Sequence, residues 1–196
     1  MTKRRIVIGV SGASGAPLAV ELLEALALQD EIETHLVITR SGQQTIEWET
    51  KKTVEAVCDL ADVIYNNSDI GASIASGSFK TAGMVVVPCS MKTVAGISTG
   101  YSDNLLLRAA DVTLKERRRL VLVTRECPLS TIHLRNMTSL SEMGAIIMPP
   151  VLTYYNEPQT MQDMTRHMVG KMLDIFDLSY PHFCRWGTPG KGKGHD

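Results

Sequence analysis

The turn Gly9-Val10-Ser11-Gly12-Ala13-Ser14-Gly15-Ala16-Pro17 carries the first recognisable chemistry in this chain. It follows the apolar run Ile6-Val7-Ile8 and leads into a segment with Leu18, Leu22, Leu23 and Leu26 near one helical face. A strand, a turn of small residues and a helix leave backbone N–H groups pointing outward, and the helix dipole adds positive charge there. Small side chains let a phosphate approach the backbone closely, and Ser11 and Ser14 add hydroxyl donors. The pattern is not GxGxxG, and a tight strand-to-helix connection without a ligand is the other reading of the turn. Three more turns carry reactive side chains: Thr39-Arg40, Ser90-Met91-Lys92-Thr93 and Arg125-Glu126. Arg108, Asp111 and Lys115 share one helical face, which reads also as a solvated ion-pair stripe beside the cations that end that helix.

These side chains need elements to hold them. His35-Leu36-Val37-Ile38-Thr39 and Leu120-Val121-Leu122-Val123-Thr124 read as strands, as does Ala145-Ile146-Ile147-Met148, which Pro149-Pro150 stops. Met84-Val85-Val86-Val87-Pro88-Cys89 is a continuous apolar run, as expected for a strand covered on both faces. Helical spacing predicts helices over 53–61, 104–117 (capped by Ser102-Asp103), 130–143 and 160–178. Residues 65–83, rich in Asn, Ser and Gly, read as a long surface loop. Alternating strands and helices imply a mostly parallel sheet with helices on both faces, and ligands of such folds bind at the carboxyl ends of the strands. The four reactive turns all fall at those ends. One anionic, hydroxyl-rich ligand, such as a nucleotide or flavin phosphate, would use all of them.

Composition narrows the class. The 196 residues suit one domain, with a tail after Trp186 that is rich in Gly and Lys. A net charge of −1 gives no reason to expect nucleic acid or an anionic membrane as partner. No apolar run approaches the roughly 20 residues that cross a bilayer. Cys58, Cys89, Cys127 and Cys184 form no CxxC pair, and the five histidines are scattered, so reduced thiols, a cytoplasmic location and no metal are expected.

The same turns resemble the flavin prenyltransferase family, the UbiX-like enzymes once labelled phenylacrylic or hydroxybenzoate decarboxylase subunits. The resemblance rests on Gly12-Ala13-Ser14-Gly15-Ala16, Glu49-Thr50, Pro88-Cys89-Ser90-Met91-Lys92-Thr93 and Asn104-Leu105 through Arg108-Ala109-Ala110-Asp111-Val112. It continues through Leu114-Lys115-Glu116-Arg117-Arg118, Arg125-Glu126, Ile132-His133-Leu134, Tyr155 and Arg185-Trp186-Gly187, which spans nearly the whole chain in order. It implies a flavodoxin-like or Rossmann-like three-layer α/β/α sandwich, one flavin-binding domain over residues 1–186 and a mobile tail over 187–196.

The activity implied is metal-independent transfer of a dimethylallyl group from dimethylallyl monophosphate to N5 and C6 of reduced FMN. The product serves a UbiD-type decarboxylase, and the assembly is a homo-oligomer, trimer-based and dodecameric. By the same resemblance Gly12, Ala13, Ser14, Thr39, Ser90, Met91, Lys92, Thr93 and Arg125 hold FMN. Tyr155 and Lys171 match positions that bind the prenyl phosphate, with Arg108 and Lys115 as candidates for the same pocket. Several members carry arginine where Lys171 stands, and lysine lacks that bidentate fork. Lys115 would steady the departing phosphate, Trp186 would offer a π face to the allylic cation, and Ser14, Glu49 and Glu126 would relay the flavin proton. The alternatives are an FMN-dependent decarboxylase, of the phosphopantothenoylcysteine or the aromatic-acid type, and a non-catalytic flavin-binding subunit.

Overall fold

The computed structural model describes residues 3–186, so the predicted tail over 187–196 lies outside the described residues. The chain divides into two compact units, Met1–Pro150 and Val151–Asp196. The first holds β1 (Arg4–Val10), α1 (Ala16–Ala27), β2 (Ile32–Ile38), α2 (Arg40–Glu49), α3 (Val54–Cys58) and β3 (Val63–Tyr65). It continues with β4 (Gly83–Cys89), α4 (Met91–Ser98), α5 (Leu105–Lys115), β5 (Arg119–Thr124), α6 (Thr131–Glu142) and β6 (Ile146–Ile147). The second unit holds α7 (Met161–Ile175).

All described strands run parallel in one sheet, in the order β3-β2-β1-β4-β5-β6. This is the flavodoxin-like α/β sandwich expected from the alternation of strands and helices. Strand order reverses between β1 and β4, which pair through Val7 and Met84. Such a reversal opens a crevice above the strand carboxyl ends, because the following helices leave in opposite directions. Apolar runs become the inner strands because both faces are covered: every residue of β4 is buried. On one face Val7, Met84, Val86, Leu105, Leu106 and Leu122 form a core, and each large apolar side chain buried there is worth about 1.5–3 kcal/mol. Gly9 is small because a Cβ would press on Met84 and Leu106 of that core.

Three local readings change. The cap of α5 is Asn104, not Ser102-Asp103: its backbone is extended (φ −145°, ψ 166°) and its side-chain oxygen accepts from Leu107 N–H at 3.1 Å. Helices α2 and α4 and strand β3 were not foreseen, since Gly42, Gly96 and a polar exposed face blur the helical period. The segment over 65–83 is irregular, as expected, but it is built rather than loose. Tyr65 bonds His35 Nδ1 (2.9 Å) and Ser73 Oγ (2.7 Å), Ile74 is buried in a 3-10 turn, and the Arg118 guanidinium donates to Phe79 and Gly77 carbonyls.

Candidate active site

Five helices of the first unit, α1, α2, α4, α5 and α6, begin at the carboxyl edge of the sheet, and their free N–H groups decide where an anion can sit. The first turn of α1 is already taken. Gly15 and Ala16 N–H donate to Glu49 Oε2 at 2.7 and 2.9 Å. Burial pushes the Glu49 carboxyl up, but the Ser14 hydroxyl, those two N–H groups and the Arg125 guanidinium outweigh it and hold the group below the usual carboxylate range. A carboxylate of the protein therefore fills the seat that the turn's composition offered to a phosphate. Ser11 is spent as well: its hydroxyl donates to Pro88 O (2.9 Å) and accepts from Ser90 N–H (2.8 Å), which ties β1 to β4.

The start of α5 is closed too. Leu105 and Leu106 N–H donate to Asn67 O and Oδ1 at 2.8 and 3.0 Å, and Leu107 N–H goes to the Asn104 cap. Besides α6, whose Ser130 cap likewise takes only the third N–H, what remains open is α2 and α4. Thr39 Oγ1 accepts from Gly42 N–H (3.0 Å), and Ser90 Oγ accepts from Thr93 N–H (3.3 Å). Each cap satisfies the third N–H of its helix and leaves the first two, at Arg40 and Ser41 and at Met91 and Lys92, without an acceptor among the described residues. The Thr39 hydroxyl also keeps a proton that it can donate, while Ser90 Oγ and Thr93 Oγ1 bond each other at 3.1 Å and keep one proton between them.

Between these two open starts lies a cavity of about 300 Å³. Gly12, Thr39, Ser90, Lys92 and Thr93, all expected to hold a cofactor, line it. Arg40, Ser41, Asn67 and Asn104 join them. Hydroxyls, open N–H groups and the cations of Arg40 and Lys92 make this a fitting seat for a phosphate monoester. Gly12 is needed by the protein itself here, since a Cβ would overlap Ser41 at the start of α2. Ala13, Ser14, Met91 and Arg125 do not line the cavity but stand at its turns, Ser14 bonded to Glu49 and Arg125 N–H to Cys89 O (3.0 Å). Arg125 and Glu126 are exposed at the exit of β5, where Glu126 Oε1 accepts from Cys127 N–H (3.0 Å).

Arg108 and Lys115 part company. Arg108, one turn into α5, pairs with Asp111 at 2.6 Å, as the ion-pair reading has it. Lys115 ends α5, pairs with Glu116 and packs over Gly77 at the opposite edge of the sheet. A strand such as β5 spans roughly 20 Å between those edges, so within one chain Lys115 is far from the cavity.

In the second unit, Tyr155 OH donates to Cys184 O (3.2 Å) and lies 3.2 Å from His167 Nε2. Trp186, 80% exposed, meets the Tyr155 ring edge-on at 5.2 Å. Lys171 lies 3.7 Å from Asp174, which Arg185 also engages and holds below its usual range. The residues that sequence reasoning missed are Ser41, Asn67 and Asn104. Thr39 and Ser90 were signalled by type, but an Asn inside a polar loop carries no such signal.

Comparison with known proteins follows the same lines. The Flavoprotein family model matches residues 1–179. The protein named "Probable UbiX-like flavin prenyltransferase" of Streptomyces sp. (strain D7) is 56% identical over 182 residues, 93% of this chain and 91% of its own length. The chain belongs to the UbiX-like flavin prenyltransferases. Among solved structures of this family, a dodecameric FMN-dependent UbiX-like decarboxylase from Escherichia coli O157:H7 superposes with a TM-score of 0.92 at 52% identity, covering 94% of this chain and 100% of that one. AnUbiX (PadA1), solved in complex with FMN and dimethylallyl pyrophosphate, also gives 0.92, at 49% identity over 95% and 98% of the two chains. The family's chemistry is prenyl transfer to a flavin, and the flavin is FMN. No helix among the described residues is long and apolar enough to cross a membrane.

Proposed function

We propose that this flavin prenyltransferase moves a dimethylallyl group from dimethylallyl monophosphate to reduced FMN and releases inorganic phosphate. The observation that carries the flavin's place is the pattern of helix starts: α1 and α5 are closed by Glu49 and Asn67, while α2 and α4 open on one cavity. FMN, when bound, supplies the nucleophilic N5. The protein's share is then to seat the phosphate, to stabilise the departing anion and to move one proton.

Thr39, Ser90 and Thr93 hydroxyls, the N–H groups of Arg40 to Ser41 and Met91 to Lys92, and the Lys92 cation hold the FMN phosphate. The Ser14 hydroxyl donates to a carboxylate kept ionised, so Ser14 takes the flavin proton as it passes its own proton to Glu49, whose carboxylate is the final acceptor of the relay. Glu126, exposed beside Arg125, is the second base. Arg108, Lys115, Tyr155 and Lys171 bind the prenyl phosphate, and Trp186 faces the allylic cation. Lys115 reaches such a site only from a neighbouring copy, which suits a trimer-based homo-oligomer, a dodecamer when complete. Tyr155 must turn its proton from Cys184 O to the phosphate as substrate enters.

The product leaves for a UbiD-type decarboxylase in the cytoplasm. The test is transfer of activity. Deproteinised reaction mixture is added to such a decarboxylase lacking its flavin, and decarboxylation is followed. Activation by the complete mixture, and by no mixture lacking the prenyl donor, is the expected result; no activation by either overturns the reading.

A further inference from the structure

Asn67 belongs to no strand or helix, yet it lines the phosphate cavity and a neighbouring cleft lined by Arg40, Tyr65 and Gln43. Its position is tightly set. Asn66 Oδ1 accepts from Ser68 N–H (3.0 Å) and Ser68 Oγ (2.9 Å), and Asp69 N–H donates to Asn66 O (3.0 Å), which folds the chain sharply around it. Both acceptors of Asn67 are then used on α5: its carbonyl by Leu105 N–H and its Oδ1 by Leu106 N–H. An amide side chain has one oxygen and one NH2, so fixing the oxygen fixes the nitrogen. Among the described residues nothing accepts from Asn67 Nδ2.

From this locked amide we infer that Asn67 is a further phosphate-binding residue, its Nδ2–H donating to the phosphate of FMN. The inference rests on the flavin reading above. Leu106 N–H acts as the selector: it donates to the amide oxygen and not to the NH2, so the Asn67 side chain presents only a donor to whatever fills the cavity. Asn104, at the same helix start, spends its oxygen on Leu107 and one of its two Nδ2–H groups on Asp103 (2.8 Å), so it too presents only a donor to the cavity.

The carboxylate variant separates binding from folding. Asn67→Asp keeps an oxygen for Leu106 N–H and suits the positive end of α5, so the fold is retained. The second oxygen, however, takes the place of Nδ2 and sets a negative charge against the phosphate. Titration of purified wild-type and variant proteins with FMN, and separately with riboflavin, reads the difference. The expected result is a loss of FMN affinity of about tenfold or more with riboflavin affinity within about twofold, because only FMN carries the repelled charge. FMN affinity within twofold of wild type, or equal losses for both flavins, overturns the assignment. Should Asn67→Asp fail to fold, Asn67→Ser keeps a small acceptor without charge; a selective loss of FMN over riboflavin supports the inference, and an unselective one overturns it. Wild-type protein that binds no FMN would instead overturn the flavin reading itself.

Discussion

The carboxylate of Glu49 sits 2.7 Å from Gly15 N and 2.9 Å from Ala16 N, at the start of the helix that follows the glycine-rich turn. That turn was the most suggestive phosphate seat in the sequence. The protein fills it with its own anion and leaves the neighbouring helix starts open, which moves the phosphate seat one strand to either side.

Glu49→Gln keeps the shape of this contact and removes its charge. A half-exposed carboxylate on a helix start is worth about 0.5–1 kcal/mol, so a small fall in melting temperature is expected at pH 7. Wild-type stability should also fall as pH drops below the usual value of 4.5, since Glu49 is held below it in the folded protein and must take up a proton. The variant should lack that part of the acid loss. Product formation should slow more than FMN binding weakens, because Ser14 loses its anionic acceptor. A variant with wild-type turnover and wild-type acid stability would remove Glu49 from both roles.

Gly12→Ala tests the close approach of the first turn to α2. The added Cβ would overlap Ser41, and relieving it must move the α2 start that forms one wall of the cavity. A destabilisation of about 1–3 kcal/mol is expected, with a clear loss of FMN affinity. Gly71→Ala, where only Asp69 lies near at 3.5 Å, is the control and should change neither.

Lys171→Ala and Tyr155→Phe act on the second unit. Each should raise KM for the prenyl phosphate by about tenfold, the scale of one hydrogen bond to an anion, and leave FMN affinity unchanged. Steady-state kinetics with each substrate varied in turn reads the split, and equal effects on both substrates would contradict the assignment. Tyr155→Phe also leaves His167 with neither ring nitrogen bonded among the described residues, because Nδ1 is already buried with no partner there, so this variant should melt lower as well.

Two buried histidines set a pH dependence nearer neutrality. Burial lowers His35, against the opposing pull of Glu33, and burial lowers His167. Both hold a proton less readily in the folded chain than in the unfolded chain, which protonates them near the usual value of 6.5. Stability should therefore fall as pH drops through that value. Melting curves between about pH 8 and pH 5.5 would show it, and a flat profile would refute it. His35→Phe should flatten part of the slope at some cost in stability, as it gives up the bonds to Glu33 and Tyr65.

Much of the fold was legible because parallel strands announce themselves. The runs at Met84 to Val87 and Leu120 to Val123 are apolar without interruption, and their shortness, their valines and the turn residues that follow favour a strand covered on both faces over a buried helix segment. Helices α2 and α4 were hidden for the opposite reason: each is short, holds a glycine and shows a mixed face. Of the side chains singled out by type, Thr39, Ser90, Lys92 and Thr93 line the cavity at the strand ends. What sequence could not show was satisfaction. Whether an N–H is open or taken depends on Glu49 and Asn67, which lie 34 and 39 residues from the groups that they cap. The separation of Lys115 from Arg125 was hidden as well: ten residues apart in sequence, they stand at opposite edges of the sheet because α5 ends and β5 runs its whole length between them.

The most direct measurement is the mass of flavin extracted after the purified protein is incubated, without oxygen, with reduced FMN and dimethylallyl monophosphate. A gain of one C5H8 unit, in step with the release of one inorganic phosphate, is the predicted result. Flavin recovered unmodified from protein that had bound it would contradict the account, and would leave this fold holding FMN for a different reaction.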